Sequence, residues 1–135
     1  MAGHELEVLE ANQAFYRAFS RKDAAEMDRL WAEDHPVACV HPGWDVLDGR
    51  EDVMESWDAI LESEGSPQVT VSLAQAHVLG EVAFVTCHEL VSGARFVATN
   101  VFAYEDGAWR MVHHHSSALG PAQARIHRPE PELRS

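Results

Sequence analysis

Positive charge is scarce in this chain. Across 135 residues, 10 Lys and Arg stand against 22 Asp and Glu, for a net charge of −12. Phosphate backbones are held by clustered cations, so this balance excludes a nucleic-acid surface and disfavours an anionic membrane. Cysteine is scarcer still. Cys39 and Cys87 lie inside apolar runs without zinc-type spacing, which predicts two small buried hydrophobes rather than a disulfide. No apolar run is long enough to span a bilayer. The opening Met-Ala-Gly-His-Glu-Leu-Glu lacks a basic start and an apolar stretch, so a cytoplasmic location is the expected default.

Apolar content is ordinary at 46%, enough to fold one domain around one core. Val8, Asn12, Phe15 and Phe19 recur at helical spacing with Leu9 and Tyr16 beside them, predicting an amphipathic helix near residues 5–20. Asp23 and Glu26 then form a capping pair for a short second helix carrying Met27, Leu30 and Trp31, which Pro36 closes. Val37 to Val40 is a short β run and Pro42-Gly43 a turn. Asp48, with Glu51 three residues on, is expected to cap a third helix whose stripe is Val53, Met54, Trp57, Ile60 and Leu61.

From Val69 the period changes to two. Strands are expected near 69–79, 82–91, 95–105 and 108–117, joined by short polar hairpin connections. Helices first and a meander after predict an α+β fold, with three N-terminal helices packed on the concave face of a curved antiparallel sheet. The domain is expected to occupy 1–119. A Pro- and charge-rich tail, 120–135, follows without a core of its own.

The candidate site comes from histidines. In the last strand, simple alternation puts Trp109, Met111, His113 and His115 on one face, and Arg110, Val112, His114 and Ser116 on the other. His41-Pro42-Gly43-Trp44 offers another His beside a Trp, with Trp44 a candidate pocket wall or lid. On strand 95–105, Phe96, Ala98, Asn100 and Phe102 share one face, and Val97, Thr99, Val101 and Ala103 the other. His88 and Glu89 face opposite ways, and alternation alone leaves open which turns inward. Three helices can cover only one sheet face. The outer one, with Val97, Thr99, Val101, Val112 and His114, is therefore expected to meet a second copy in a homodimer.

The order of elements, with Phe15-Tyr16, Asp34, Gly49-Arg50-Glu51 and the Trp109-to-Ser116 strand, resembles the cone-shaped barrel of the nuclear transport factor 2-like superfamily, most of all its SnoaL-like branch. The resemblance covers about residues 5–118 and implies a small-molecule pocket. The superfamily includes ketosteroid isomerases, polyketide cyclases and dehydratases, and also kinase association domains, so it points to fold more than to function. Carried over from the isomerases, the base position falls on His41, one oxyanion position on Asn100, and the other on Phe15, which has no donor and argues against steroid isomerisation in that form.

Two classes follow. One is a cofactor-independent isomerase, cyclase or dehydratase acting on a largely apolar molecule. His41 would be its base, with Asn100 and His113 polarising an oxygen. The other is a ligand-binding or association domain without turnover. Either way Trp44, Phe15, His115, Glu89 and Asn12 are candidate ligand contacts. Three imidazoles, His41, His113 and His115, could hold zinc, but His-x-His is a weak motif and no metal or cofactor is expected.

Overall fold

A computed structural model describes residues 2–65 and 67–120. The expected tail, apart from Gly120, lies outside the described residues. Three helices come first: α1 (Ala2–Arg21), α2 (Ala24–Leu30) and, after β1 (Ala38–Val40) and β2 (Leu47–Asp48), α3 (Arg50–Glu62). The meander follows as β3 (Val69–Leu79), β4 (Val82–Val91), β5 (Ala94–Glu105) and β6 (Ala108–Ala118). The six strands form one open sheet in the order β2-β1-β6-β5-β4-β3. All neighbours are antiparallel except β1 and β6. Among the described residues no helix is long and apolar enough to cross a membrane.

The helical stripes bury as their spacing requires. Val8, Asn12, Phe15 and Tyr16 of α1 and Val53, Trp57 and Leu61 of α3 meet Val85, Cys87, Ala98 and Phe102 of the sheet. Trp31 and Met27 close the core from α2. Each such side chain contributes roughly 1.5–3 kcal/mol on leaving water. Both cysteines are free and buried. The Asp23 carboxylate accepts from the Glu26 amide at 3.1 Å, so α2 is capped as its sequence predicts.

The cap of α3 differs. Gly49, not Asp48, is the N-cap, at φ 99 and ψ 148, and no side chain caps the helix. Asp48 instead lies in β2, paired with Ala38, and Gly49 N donates to Val37 O at 2.9 Å. The strand claims the aspartate before the helix can.

The consequential departure is in β6. Val101 pairs with His113 but Phe102 pairs with Met111, leaving Val112 as an extra residue, a β-bulge. The other edge of β6 changes partner at the same point. Ala32 N bonds Met111 O at 3.0 Å, and β1 takes over from His113 onward. One added residue inverts the alternation. Trp109 and Met111 face the core as expected, but beyond the bulge His114 and Ser116 face it too, while His113 and His115 turn outward.

Candidate active site

A cavity of about 200 Å³ opens between the concave face of the sheet, α1, α3 and the turn after β1. Its walls are mostly apolar, from Phe19, Trp44, Trp57, Ile60, Val91 and Phe96, and four polar residues reach it: His41, Glu89, His114 and Ser116. The volume is below the ~300–1,000 Å³ of sites for drug-sized ligands, so the occupant is small. A larger, shallow groove of about 540 Å³ between α2 and α3 is lined chiefly by Asp28, Glu51, Glu55 and Asp58. Its one cation, Arg50, is already spent on Asp28 at 3.1 Å, and the groove is ordinary solvated surface.

Behind the cavity runs a continuous buried hydrogen-bond circuit. The His114 Nδ1–H donates to Asn100 Oδ1 at 2.6 Å. The Asn100 amide donates to Asn12 Oδ1 at 2.9 Å and to Tyr16 Oη at 3.0 Å. The Tyr16 hydroxyl donates to Glu89 Oε2 at 2.5 Å, and the Ser116 hydroxyl to Glu89 Oε1 at 2.6 Å. All six side chains are buried. The circuit assigns the His114 tautomer. Because Asn100 Nδ2 is the donor to its neighbours, Oδ1 must accept, so Nδ1 carries the proton and Nε2 the lone pair.

His41 stands across from this pole, its ring centroid 6.3 Å from that of His114. It packs edge-on against Trp44 at 4.8 Å and Trp57 at 4.9 Å. Ser56 gives its one proton to Val53 O at 2.7 Å, so His41 Nε2, 2.9 Å away, donates to Ser56 and Nδ1 is left as acceptor. Burial pulls the His41 pKa down to about 4. Burial, reinforced by His41, His113 and His115, takes His114 to about 3. Both imidazoles are therefore neutral at pH 7. Burial, with the Glu89 charge, raises Tyr16 well above its ordinary value, so its hydroxyl stays protonated. Burial likewise pushes the Cys39 thiol, beside His41, up to about 12.

The expected residues thus separate into three groups. His41, Trp44 and Glu89 reach the cavity, and Glu89 rather than His88 is the inward member of its pair. Asn100, Asn12 and Phe15 lie one layer behind, the first two in the circuit and Phe15 against His114 at 4.9 Å. His113 and His115 do not join them, because the bulge turns both to the outer face, where His113 bonds Ala38 O at 3.0 Å. His114, expected at a subunit contact, takes their place. This also separates the three imidazoles that could have shared zinc: His41 lies inside, His113 and His115 outside. Tyr16 was missed as a site residue. It supplies the hydroxyl that Phe15 lacks, one position along the same helical face. Ser116 was missed too, with the same half of β6.

A family profile described as the SnoaL-like domain matches residues 8–121. The chain belongs to that family. The fold is accordingly that of the nuclear transport factor 2-like superfamily, its SnoaL-like branch. Among solved structures this SnoaL-like chain is similar to a candidate dehydratase of the NTF2-like family from Streptomyces avermitilis. The two are 33% identical, with a TM-score of 0.83, over 88% of this chain and 98% of that one. It is also similar to a candidate association domain of calcium/calmodulin-dependent protein kinase type II from Thiobacillus denitrificans. There the identity is 31% and the TM-score 0.76, over 82% of this chain and 93% of that one. A curated relative, the F-box protein SKIP8 of Arabidopsis thaliana, is 31% identical over 114 residues. Those residues are 83% of this chain but 49% of the relative, so the chain spans about half the length of the curated protein it matches.

Proposed function

We propose that this SnoaL-like domain is a cofactor-independent acid–base enzyme of the isomerase, cyclase or dehydratase type, working on a small, largely apolar substrate. The observation that carries it is the buried circuit from Glu89 through Tyr16 and Asn100 to His114, ending in an unprotonated ring nitrogen at the wall of a mostly apolar cavity. Such a circuit fixes the tautomer and orientation of a general base, the pre-organisation that proton transfer needs. His114 takes the role first expected of His113. Asn100 positions His114 from behind instead of touching the substrate, and His41, held by Ser56, is the second pole. Two acceptors on opposite sides of one small cavity suit removal of a proton at one carbon and its delivery elsewhere. Elimination of water is the form that the similarity to the candidate dehydratase supports. No cofactor is called for, and a cytoplasmic setting suits such an enzyme.

The test needs no prior substrate. Small cyclic ketones and β-hydroxy carbonyl compounds are incubated in D2O and followed by NMR for protein-dependent exchange or loss of water. His114→Gln is expected to lower the rate by on the order of a hundredfold or more, whereas His113→Ala retains it. Because His41 and His114 are neutral throughout, the wild-type rate should stay flat from pH 8 to 5 and fall only toward pH 4. Full activity in His114→Gln would remove the proposed base.

A second function is supported by the outer face of the sheet. The outward positions of β4 and of β5 up to Ala103 carry Val82, Phe84, Leu90, Val97 and Val101 and no carboxylate, in a chain with 22 acidic residues. This face suits a homodimer contact through Val97, Thr99, Val101 and Val112, without His114. The similarity to a candidate kinase association domain is consistent with self-association.

A further inference from the structure

Glu89 is 5% exposed, and its two oxygens accept from Tyr16 and Ser116. Among the described residues no ion pair reaches it, and neither Lys nor Arg lines the cavity it shares with His114. Arg95 borders a separate pocket of about 150 Å³ that Glu89 also lines, but makes no ion pair with it. Hydroxyl donors satisfy the lone pairs of a buried carboxylate but leave its charge unanswered. The nearest polar side chains at this pole offer acceptors as well, while the Trp57 indole N–H in the wall is a buried donor without a partner. Ser116 has spent its proton on Glu89, so its oxygen offers only lone pairs. His114 has spent its Nδ1–H on Asn100, so Nε2 offers a lone pair. Around them stand Phe19, Trp44, Trp57 and Phe96.

A ligand matching the acceptors of this pole brings several donors and a positive charge. An ammonium group has three N–H donors and no lone pair, and aromatic side chains attract it further. An alcohol could bond one or two of the acceptors but would leave the carboxylate charge standing. A carboxylate or phosphate would bring a second anion into a cavity without a cation. The field of a chain with net charge −12 acts in the same direction, gathering cations and repelling anions.

We infer that the cavity takes a small primary amine in its ammonium form on a compact apolar body, with the nitrogen on Glu89. The inference rests on the proposed function and names the substrate class of that site. It excludes anionic substrates and ranks amines above neutral alcohols of the same shape.

Three probes with one body and different charge test it: benzylammonium, benzyl alcohol and benzoate, titrated calorimetrically into the full chain at pH 7. Benzylammonium is expected to bind at least tenfold more tightly than benzyl alcohol, and benzoate not measurably. In Glu89→Gln, benzyl alcohol affinity should stay within about twofold while the ammonium preference disappears. Should Glu89→Gln not fold, as judged by circular dichroism, Glu89→Asp withdraws the charge by one methylene. It should weaken benzylammonium while sparing benzyl alcohol. Benzyl alcohol binding as tightly as benzylammonium, or a preference that survives in both variants, would overturn the inference and leave the cavity as a site for neutral molecules. Failure of all three probes to bind folded wild-type protein would count against the inference and also against the proposed function.

Discussion

Each of the two buried imidazoles is anchored through one nitrogen and unprotonated at the other, which in His41 lies 3.9 Å from the Cys39 sulfur. His114 is anchored through Nδ1 on Asn100, and His41 through Nε2 on Ser56. Neither has an anion to stabilise a proton, and burial therefore lowers both pKa values, to about 4 for His41 and about 3 for His114. In the unfolded chain both take up protons below about pH 6.5. In the folded protein they do not until pH 4 and 3. The unfolded state thus binds more protons in that window. The stabilisation from keeping the rings neutral is complete above pH 6.5 and is lost as the pH falls through it. For His41 the loss by pH 4 is on the order of 3 kcal/mol. Urea unfolding at pH 7.5, 6 and 5 should show the decline beginning above the range of ordinary carboxylates. His41→Asn should make the wild-type curve shallower. Equal wild-type stability at pH 7.5 and 5 would mean that these rings are not buried neutral.

Tyr16 belongs to the same scale. Its hydroxyl bridges Asn100 and Glu89, accepting from one and donating to the other. Tyr16→Phe removes the bridge while keeping the ring in its place against Phe15 at 4.8 Å. One oxygen of Glu89 and one proton of Asn100 then lose a partner, a loss of ~1–3 kcal/mol for a buried unsatisfied group. Chemical denaturation should find a drop of that size. A change within a few tenths of a kcal/mol would show that water replaces the hydroxyl at no penalty.

Between elements, local chemistry sets the turns and long-range pairing sets the register. The start of α3 illustrates the first. Gly49 sits at φ 99 and ψ 148, close to a region that only glycine occupies comfortably, and a Cβ there would meet nothing within 4 Å. Gly49→Ala is therefore a test of backbone strain without a steric clash. It should cost roughly 1–3 kcal/mol, read as a lowered denaturation midpoint with an unchanged slope. A neutral substitution would show that the β2–α3 junction relaxes freely. The same junction explains why Asp48 misled: its spacing to Glu51 fits a capping box, but its backbone is already committed to Ala38.

The bulge in β6 illustrates the second. Element types and most boundaries were legible, because the periods of the chain change from helical to alternating at Val69 and turn residues mark the hairpins. The face of Asn100 was legible too, since β5 alternates without interruption from Phe96 to Phe102. The faces of the three consecutive histidines were not. No glycine or proline marks Val112, and the bulge arises where β6 changes neighbours from Trp31–Ala32 to β1, a contact between residues some eighty positions apart. Histidine in three successive places also removes the contrast between polar and apolar that would have exposed a shift of phase. Tyr16 was obscured differently. Adjacent helical positions lie about 100° apart, and a wide apolar face takes in both Phe15 and Tyr16. Only the sheet opposite tells which of them meets a polar partner.

At the scale of the molecule, the unresolved balance is between net charge and an uncovered face. A chain carrying −12 repels its own copies almost everywhere. The outer face of the sheet is the exception. Its rows run Phe84–Val101–His113 and Thr86–Thr99–His115 across three strands, with Val97 37% exposed at one end and Val82 44% exposed at the other. Apolar and neutral there, it can meet its own image without placing carboxylates together, and a two-fold axis would pair the face with itself. If the wild-type protein is a dimer through this face, Val101→Glu puts two carboxylates near the axis, desolvated and without a cation, and should yield monomer or aggregate. Because Val101 points away from the cavity, the monomer should still bind whatever the wild type binds. Multi-angle light scattering at micromolar concentration gives the mass of each. A monomeric wild type would mean that the face is left to solvent or to a different partner. A Val101→Glu protein that remains dimeric would move the contact elsewhere on the surface, where the charge of the chain makes self-association hardest to arrange.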